Sequence, residues 1–240
     1  MTELKDYVIY GSEKIYFELK SKNNNSKSIT IKIKPDGLVI ISSPKKVTKV
    51  QLLNIINKRV EWIYKKRKEF KARYGNIHSL KYISGESHYY LGTKYLLKII
   101  DESSDAKVNL SYNQIEIITN NKKNIKQELA NWYKNQALEI FDLRFNELLS
   151  KTYWVKNRPN LVLKFMKSQW GSYSSNGNIA LNIHLIKTPI ECIDYVIFHE
   201  LCHVLIKNHS KKFYELLEQV CPNWKTMKKY LDQNVYLLIN

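Results

Sequence analysis

The chain has 240 residues, 44% of them hydrophobic, and carries 39 Lys and Arg against 22 Asp and Glu, a formal charge of +17. That length and apolar content suffice to bury about 70 to 75% of the surface an unfolded chain exposes, which excludes a disordered tail protein and suits one large or two small domains. Cys192, Cys202 and Cys221 form no CxxC pair, so neither a disulfide framework nor a thiolate zinc knuckle is expected, and a reducing cytoplasm is the predicted setting.

The N-terminal MTELKDYVIY has no apolar h-region, and no run reaches 18 uncharged apolar residues, so neither a signal peptide nor a membrane span is expected. Tyr7 to Tyr10 and Lys14 to Leu19 alternate as a strand pair. In Ser28 to Lys34, Ile29, Ile31 and Ile33 fall on one face; Pro35-Asp36-Gly37 supplies a turn, and Leu38 to Ile41 return as the second strand of a hairpin. From Val47 to Tyr74 the period changes, and Leu52, Leu53, Ile56, Val60, Ile63 and Tyr64 define one long basic amphipathic helix. Tyr89 to Ile100, Lys107 to Ser111 and Gln114 to Thr119 read as strands, and the run Asn120 to Lys123 as a domain boundary. No internal repeat is evident.

The second half begins with a long helix, Ile125 to Leu149, then a short strand from Leu161 to Met166, a loop around Trp170 to Ser175, and an alternating strand from Asn178 to Leu185. Thr188-Pro189-Ile190-Glu191 has the form of a capping box with proline in the first turn. The helix that follows is strongly apolar yet contains His199, Glu200 and His203, and polar groups in a core need a reason.

His199-Glu200-Leu201-Cys202-His203 is an H-E-x-x-H pattern. Imidazoles at i and i+4 lie about 40° apart around a helix and about 6 Å apart along it, so both can converge on one tetrahedral Zn²⁺. Glu200, about 100° round from His199, flanks that ion and suits a general base acting on a zinc-bound water. On an unbroken helix His209 would lie about 9 Å beyond His203, so the chain must turn for it to serve as third ligand. Asn208 is suited to ending the helix and Ser210 to capping the next one, whose apolar positions are Phe213, Leu216, Leu217 and Val220. The spacing equals that of the metzincins, except that Ile206 stands where those have Gly. A downstream carboxylate, Glu215 or Glu218, is the alternative third ligand, although both also fit exposed positions of a helix.

The run from Trp170 to Phe213, W-G-S-Y-S-S-N-G-N-I-A-L-N through F-H-E-L-C-H to N-H-S-K-K-F, resembles the YgjP-like family of zinc metallopeptidases, itself similar to SprT-like proteases. The resemblance extends to the Ile29 to Val39 hairpin, Val60-Glu61-Trp62-Ile63 and Tyr90-Leu91-Gly92; the chain departs from the family with Gln169 in place of Arg and Tyr173 in place of Cys. It implies His199, His203 and His209 as zinc ligands and Glu200 as catalytic acid/base. It also implies a zincin layout in which the Asn178 to Leu185 strand is the edge that receives an extended peptide, with Ala180, Asn182 and His184 facing it.

The expected fold is therefore α+β: a β-rich domain over 1–120 with one long helix, then a zincin-like domain over 121–240. The expected function is hydrolysis of protein or peptide substrates by a soluble zinc peptidase. The alternative is a basic module that binds nucleic acid or protein and keeps its metal, or the helix alone, for structure. The net charge is compatible with a nucleic-acid partner, as is the kinship with SprT-like proteases, some of which digest proteins attached to DNA. Against this, Arg59, Arg67, Arg73, Arg144 and Arg158 are the only arginines, so the better phosphate binder is scarce and a solvated lysine coat explains the excess as well.

Overall fold

Alternation of apolar and polar side chains builds the first sheet. Strands β1 (Lys5–Tyr10) and β2 (Glu13–Lys22) pair antiparallel, β4 (Val39–Pro44) runs parallel to β2, and β3 (Thr30–Ile33) closes the far edge antiparallel to β4, giving the order β1-β2-β4-β3. Val8, Ile15, Phe17, Val39 and Ile41 all point to one face, where Leu52, Ile56 and Ile63 from two helices complete a core. The structure is a computed structural model that describes residues 5–22, 28–33, 37–74, 80–102, 106–166 and 168–238. Pro35 and Asp36 of the expected turn lie outside these residues; Gly37, at φ +82°, has the left-handed backbone a turn glycine supplies.

The one long helix expected over 47–74 is two helices, α1 (Lys49–Asn57) and α2 (Val60–Tyr74). Thr48 caps α1 through a reciprocal capping box with Gln51. The helix ends where the Arg59 N–H donates to the carbonyl of Ile56, three residues back. Hydrophobic periodicity is blind to this break because the apolar stripe continues across it.

The chain divides into two compact units at 78/79, not at 120/121. In the second unit, β5 (Ser87–Tyr90), β6 (Thr93–Ile100), β7 (Lys107–Ser111) and β8 (Gln114–Ile118) form a sheet of order β5-β6-β8-β7, again with the inner pair parallel and the outer pairs antiparallel. The two sheets therefore share one connectivity, a repeat that sequence similarity does not reveal. Tyr89 to Ile100 is a hairpin rather than one strand: Leu91 and Gly92 both take positive φ, 47° and 79°, as a type I′ turn requires, and leucine gives no sequence signal for that conformation. Leu97, Ile115 and Ile117 share a core with the buried stripe of α3 (Ile125–Leu149), which runs from Ile125 and Leu129 through Tyr133, Ala137, Phe141 and Phe145 to Leu148. That shared core puts the second sheet with the C-terminal half.

The third sheet holds β9 (Asn160–Lys164), β10 (Gly171–Tyr173) and β11 (Asn178–Asn182) in the order β10-β11-β9. The Asn178 to Leu185 segment is not an edge: β11 is paired on both sides, and residues Ile183–Lys187 wind into a 3₁₀ turn. Nor do its expected outward groups all face solvent, since Ala180 and Asn182 are buried. After the turn come α4 (Ile190–Leu205), α5 (Lys211–Val220) and α6 (Trp224–Gln233). Among the described residues no helix is long and apolar enough to cross a membrane.

Candidate active site

The helix α4 carries the H-E-x-x-H residues, and its neighbours hold it on several sides. Thr188 does not cap it; its hydroxyl donates to the carbonyl of Leu185, and the helix begins after Pro189. Arg144 of α3 grips Asp194 with two parallel N–H donors, one at 2.8 Å, and the Trp154 indole donates to the carbonyl of Leu201 at 2.9 Å. At the N-terminal end the β5–β6 turn presses in: Leu91 and Gly92 donate to the carbonyls of Ile186 and Lys187, and a Cβ on Gly92 would stand 2.7 Å from Pro189 Cγ.

The helix ends at Leu205 rather than at Asn208. Ile206 leaves in extended conformation, φ −125° and ψ 106°, and Ser210 occupies the N-cap position of α5. This earlier exit brings His209 back over the helix, with its Nε2 3.0 Å from that of His199. One ring nitrogen from each of His199, His203 and His209 can be chosen so that all three lie within 4.8 Å of one another, the sole such cluster of metal-ligating side chains among the described residues. Phe213 of α5, fully buried, is the post around which they gather, its ring centroid 4.6 to 5.0 Å from each imidazole.

This cluster fits a metal ion on the chemistry of its donors. Nitrogens about 2.0 to 2.1 Å from a common zinc at tetrahedral angles stand about 3.3 Å apart, close to the His199–His209 separation. His203 Nδ1 lies 3.0 Å from the Ile206 carbonyl, which can only accept, so Nδ1 is the donor and Nε2 is the nitrogen turned to other partners. Burial and the neighbouring imidazoles push His199 down to about 3, and burial with His203 also lowers His209, so both favour the neutral form that ligates. Glu215 and Glu218 do not join the cluster; on the exposed side of α5 they pair with Lys211 of the same helix and Lys225 of α6.

Glu200 is 5% exposed and its carboxyl is pushed up to about 8 by burial, against the opposing pull of a hydrogen bond from the Tyr173 backbone N–H. It reaches β10 because residue 171 is glycine: a Cβ there would meet Glu200 Oε1 and Val196 Cγ1, each at 2.8 Å. β10 is the strand the sequence left inside a loop. Asn182, fully buried, holds the segment leading into it, its side-chain amide donating to the carbonyls of Met166 and Gln169 while its backbone N–H donates to that of Trp170. Gly171 is thus a positioning residue missed in sequence, where a lone glycine announces nothing, and Asn182, expected to face the substrate, is instead buried and positions the segment before β10.

A family model described as the YgjP-like metallopeptidase domain matches residues 27–234. The chain belongs to the YgjP-like family. Membership makes it a metallopeptidase at the family level, with a metal ion and a protein or peptide substrate implied. Among solved structures, the metallopeptidase zymogen jannalysin of Methanocaldococcus jannaschii is 26% identical, covering 40% of this YgjP-like chain and 96% of its own, with a TM-score of 0.36. No curated protein matches the chain.

Proposed function

We propose that the protein is a zinc-dependent peptidase in which His199, His203 and His209 hold the ion and Glu200 is the general acid/base. The observation that carries this reading is the convergence of three imidazoles on an elbow between α4 and α5, with the Glu200 carboxyl beside them and anchored on β10. Zinc held by His199, His203 and His209 would supply Lewis-acid polarisation of a carbonyl oxygen and would acidify the attacking water. Glu200 takes that water's proton on a carboxylate oxygen and passes it to the departing amine. The partner N–H from Tyr173 keeps the carboxylate aimed, and burial makes it a better base than an exposed glutamate. A cation held by the three histidines would lower that carboxyl's pKa toward the working range.

Substrate binds along β10. The Trp170–Asn182 and Ser174–Asn178 bonds make 170, 172 and 174 the residues bonded to β11, so the backbone groups of Gly171 and Tyr173 point to the other edge. Glu200 takes the Tyr173 N–H; the Tyr173 carbonyl and both groups of Gly171 receive an extended peptide. A structural zinc site closes with four protein ligands, whereas the described residues bring three together, which favours catalysis over a binding module with a structural metal. The three free cysteines fit a reducing cytoplasm. Replacing Glu200 by Gln should preserve zinc stoichiometry and lower the rate of peptide hydrolysis by at least about 10²-fold; undiminished cleavage by that variant overturns the mechanism.

A further inference from the structure

We propose that the cavity on the Glu200 side of the histidine cluster selects the substrate, taking the apolar side chain of a residue that flanks the scissile bond. The inference rests on the peptidase reading above and deepens it. The cavity has a volume of about 200 Å³ and is bordered by His199 and Glu200 themselves, so whatever fills it sits against the reacting groups; His203 and His209 do not border it. Sites for cofactors and drug-sized ligands run to about 300 to 1,000 Å³, so this one is of side-chain scale.

Its walls are Trp170, Tyr195, Val196 and Leu231, the last three 6%, 4% and 2% exposed. Across from α4 the wall comes from α6, which is held near by Met227, whose Sδ lies 3.8 Å from Cys192 Sγ. The charged groups that α6 contributes are Lys228 and Asp232, half-exposed and paired with each other at 2.7 Å one helical turn apart. Because the pair neutralises itself, the rim presents no net charge to an entering side chain. A carboxylate or ammonium entering the cavity would lose its hydration against Val196 and Leu231, and would gain a partner only by competing within that pair or, for an ammonium, by taking the Glu200 carboxyl that the reaction itself uses. Apolar side chains lose nothing of the kind and gain from burial.

The test is cleavage of a mixed peptide library by the zinc-loaded protein, with products sequenced by mass spectrometry. Leu, Ile, Met, Phe or Tyr should dominate at one of the two positions flanking the cut, and Asp, Glu, Lys and Arg should be depleted at least tenfold there. Asp232→Asn removes the acid from Lys228 and should raise cleavage at acidic residues about tenfold relative to wild type. Lys228→Met leaves the Asp232 carboxylate at the rim without that cation and should raise cleavage at basic residues instead. Both positions are half-exposed, so the variants should fold; Leu231→Trp, which fills the cavity, should shift preference to Gly and Ala. A zinc-loaded wild type that cleaves no peptide overturns the peptidase reading. Cleavage with a flat profile, or one that none of these variants moves, overturns the pocket assignment and leaves that reading standing.

Discussion

The two four-stranded sheets have the same strand order and the same mix of parallel and antiparallel pairs, yet they do different work. The first is covered by α1 and α2 and buries a small core of its own. The second joins α3 and the H-E-x-x-H helix in the large core of the second unit. The contrast is concentrated in their first turns. Gly11 ends β1 at φ +60° with open space where a Cβ would go; Gly92 ends β5 at φ +79° with that space filled by Pro189, at the start of α4. One connectivity thus packs against its own helices in one place and is part of an active-site scaffold in the other. What separates them is which surface each turn meets, not how each sheet is built.

The sharpest way to break that comparison is to add one methyl group to each turn. Gly92→Ala meets both positive-φ strain and overlap with Pro189, and should cost about 2 to 4 kcal/mol, with faster hydrogen exchange in α4. Gly11→Ala meets the strain alone and should cost about 1 to 2 kcal/mol, confined to the first unit. Equal losses by denaturant titration would show that the β5–β6 turn does not brace the site helix.

A second difference is pH response. All the buried polar and charged side chains among the described residues, including His88, Lys187 and Glu200, belong to the second unit. Burial pushes His88 down to about 4, with Lys187 adding to the shift against the pull of Glu86. Below its unfolded pKa of about 6.5 the unfolded chain takes up a proton that the folded state refuses. The stability His88 contributes is therefore full above pH 6.5 and is lost as pH falls toward 4, by about 3 kcal/mol. Lys187, pushed down by burial to about 7, acts at the other end, so that stability rises between pH 7 and about 10.5. His88→Phe should reduce, without abolishing, the acid limb of the second unit, to which His184 and His199, both pushed down to about 3 chiefly by burial, also contribute; an unchanged limb would remove His88 from the account. The first unit, with no histidine among its described residues, should show neither limb.

The smallest effect separates the helices behind the two sheets. Thr48 accepts from the Gln51 N–H at the start of α1, while Asn124 at the start of α3 makes no side-chain cap bond. Thr48→Ala should cost about 1 kcal/mol in the first unit. Asn124→Ala should be close to neutral by the same measurement, and a comparable loss there would argue for a cap that forms in solution.

Much of this was legible from the residues. The limits of α3 follow from its apolar period, because a stripe recurring every three or four residues over seven turns has no strand reading. The three histidines were equally legible, since i and i+4 on a helix place two rings on one face wherever that helix sits. The break after Asn57 was not, because its cause is a local tightening that leaves the apolar stripe intact. The Leu91-Gly92 turn was missed because leucine rarely takes positive φ and is held there by bonds to residues almost a hundred positions away. The same distance hid the role of Gly171, whose missing Cβ matters only once Glu200 lies against it.

By itself the sequence determined the chemistry available: two imidazoles at helical spacing, a carboxylate between them, and a third imidazole beyond a helix end. Only the tertiary structure decided where the helix stops, which strand is the edge, and that α6 closes a side-chain-sized cavity beside Glu200. The reason is range. Local spacing sets which groups share a face, whereas edges, cavities and close approaches exist only between segments that the chain has already folded together.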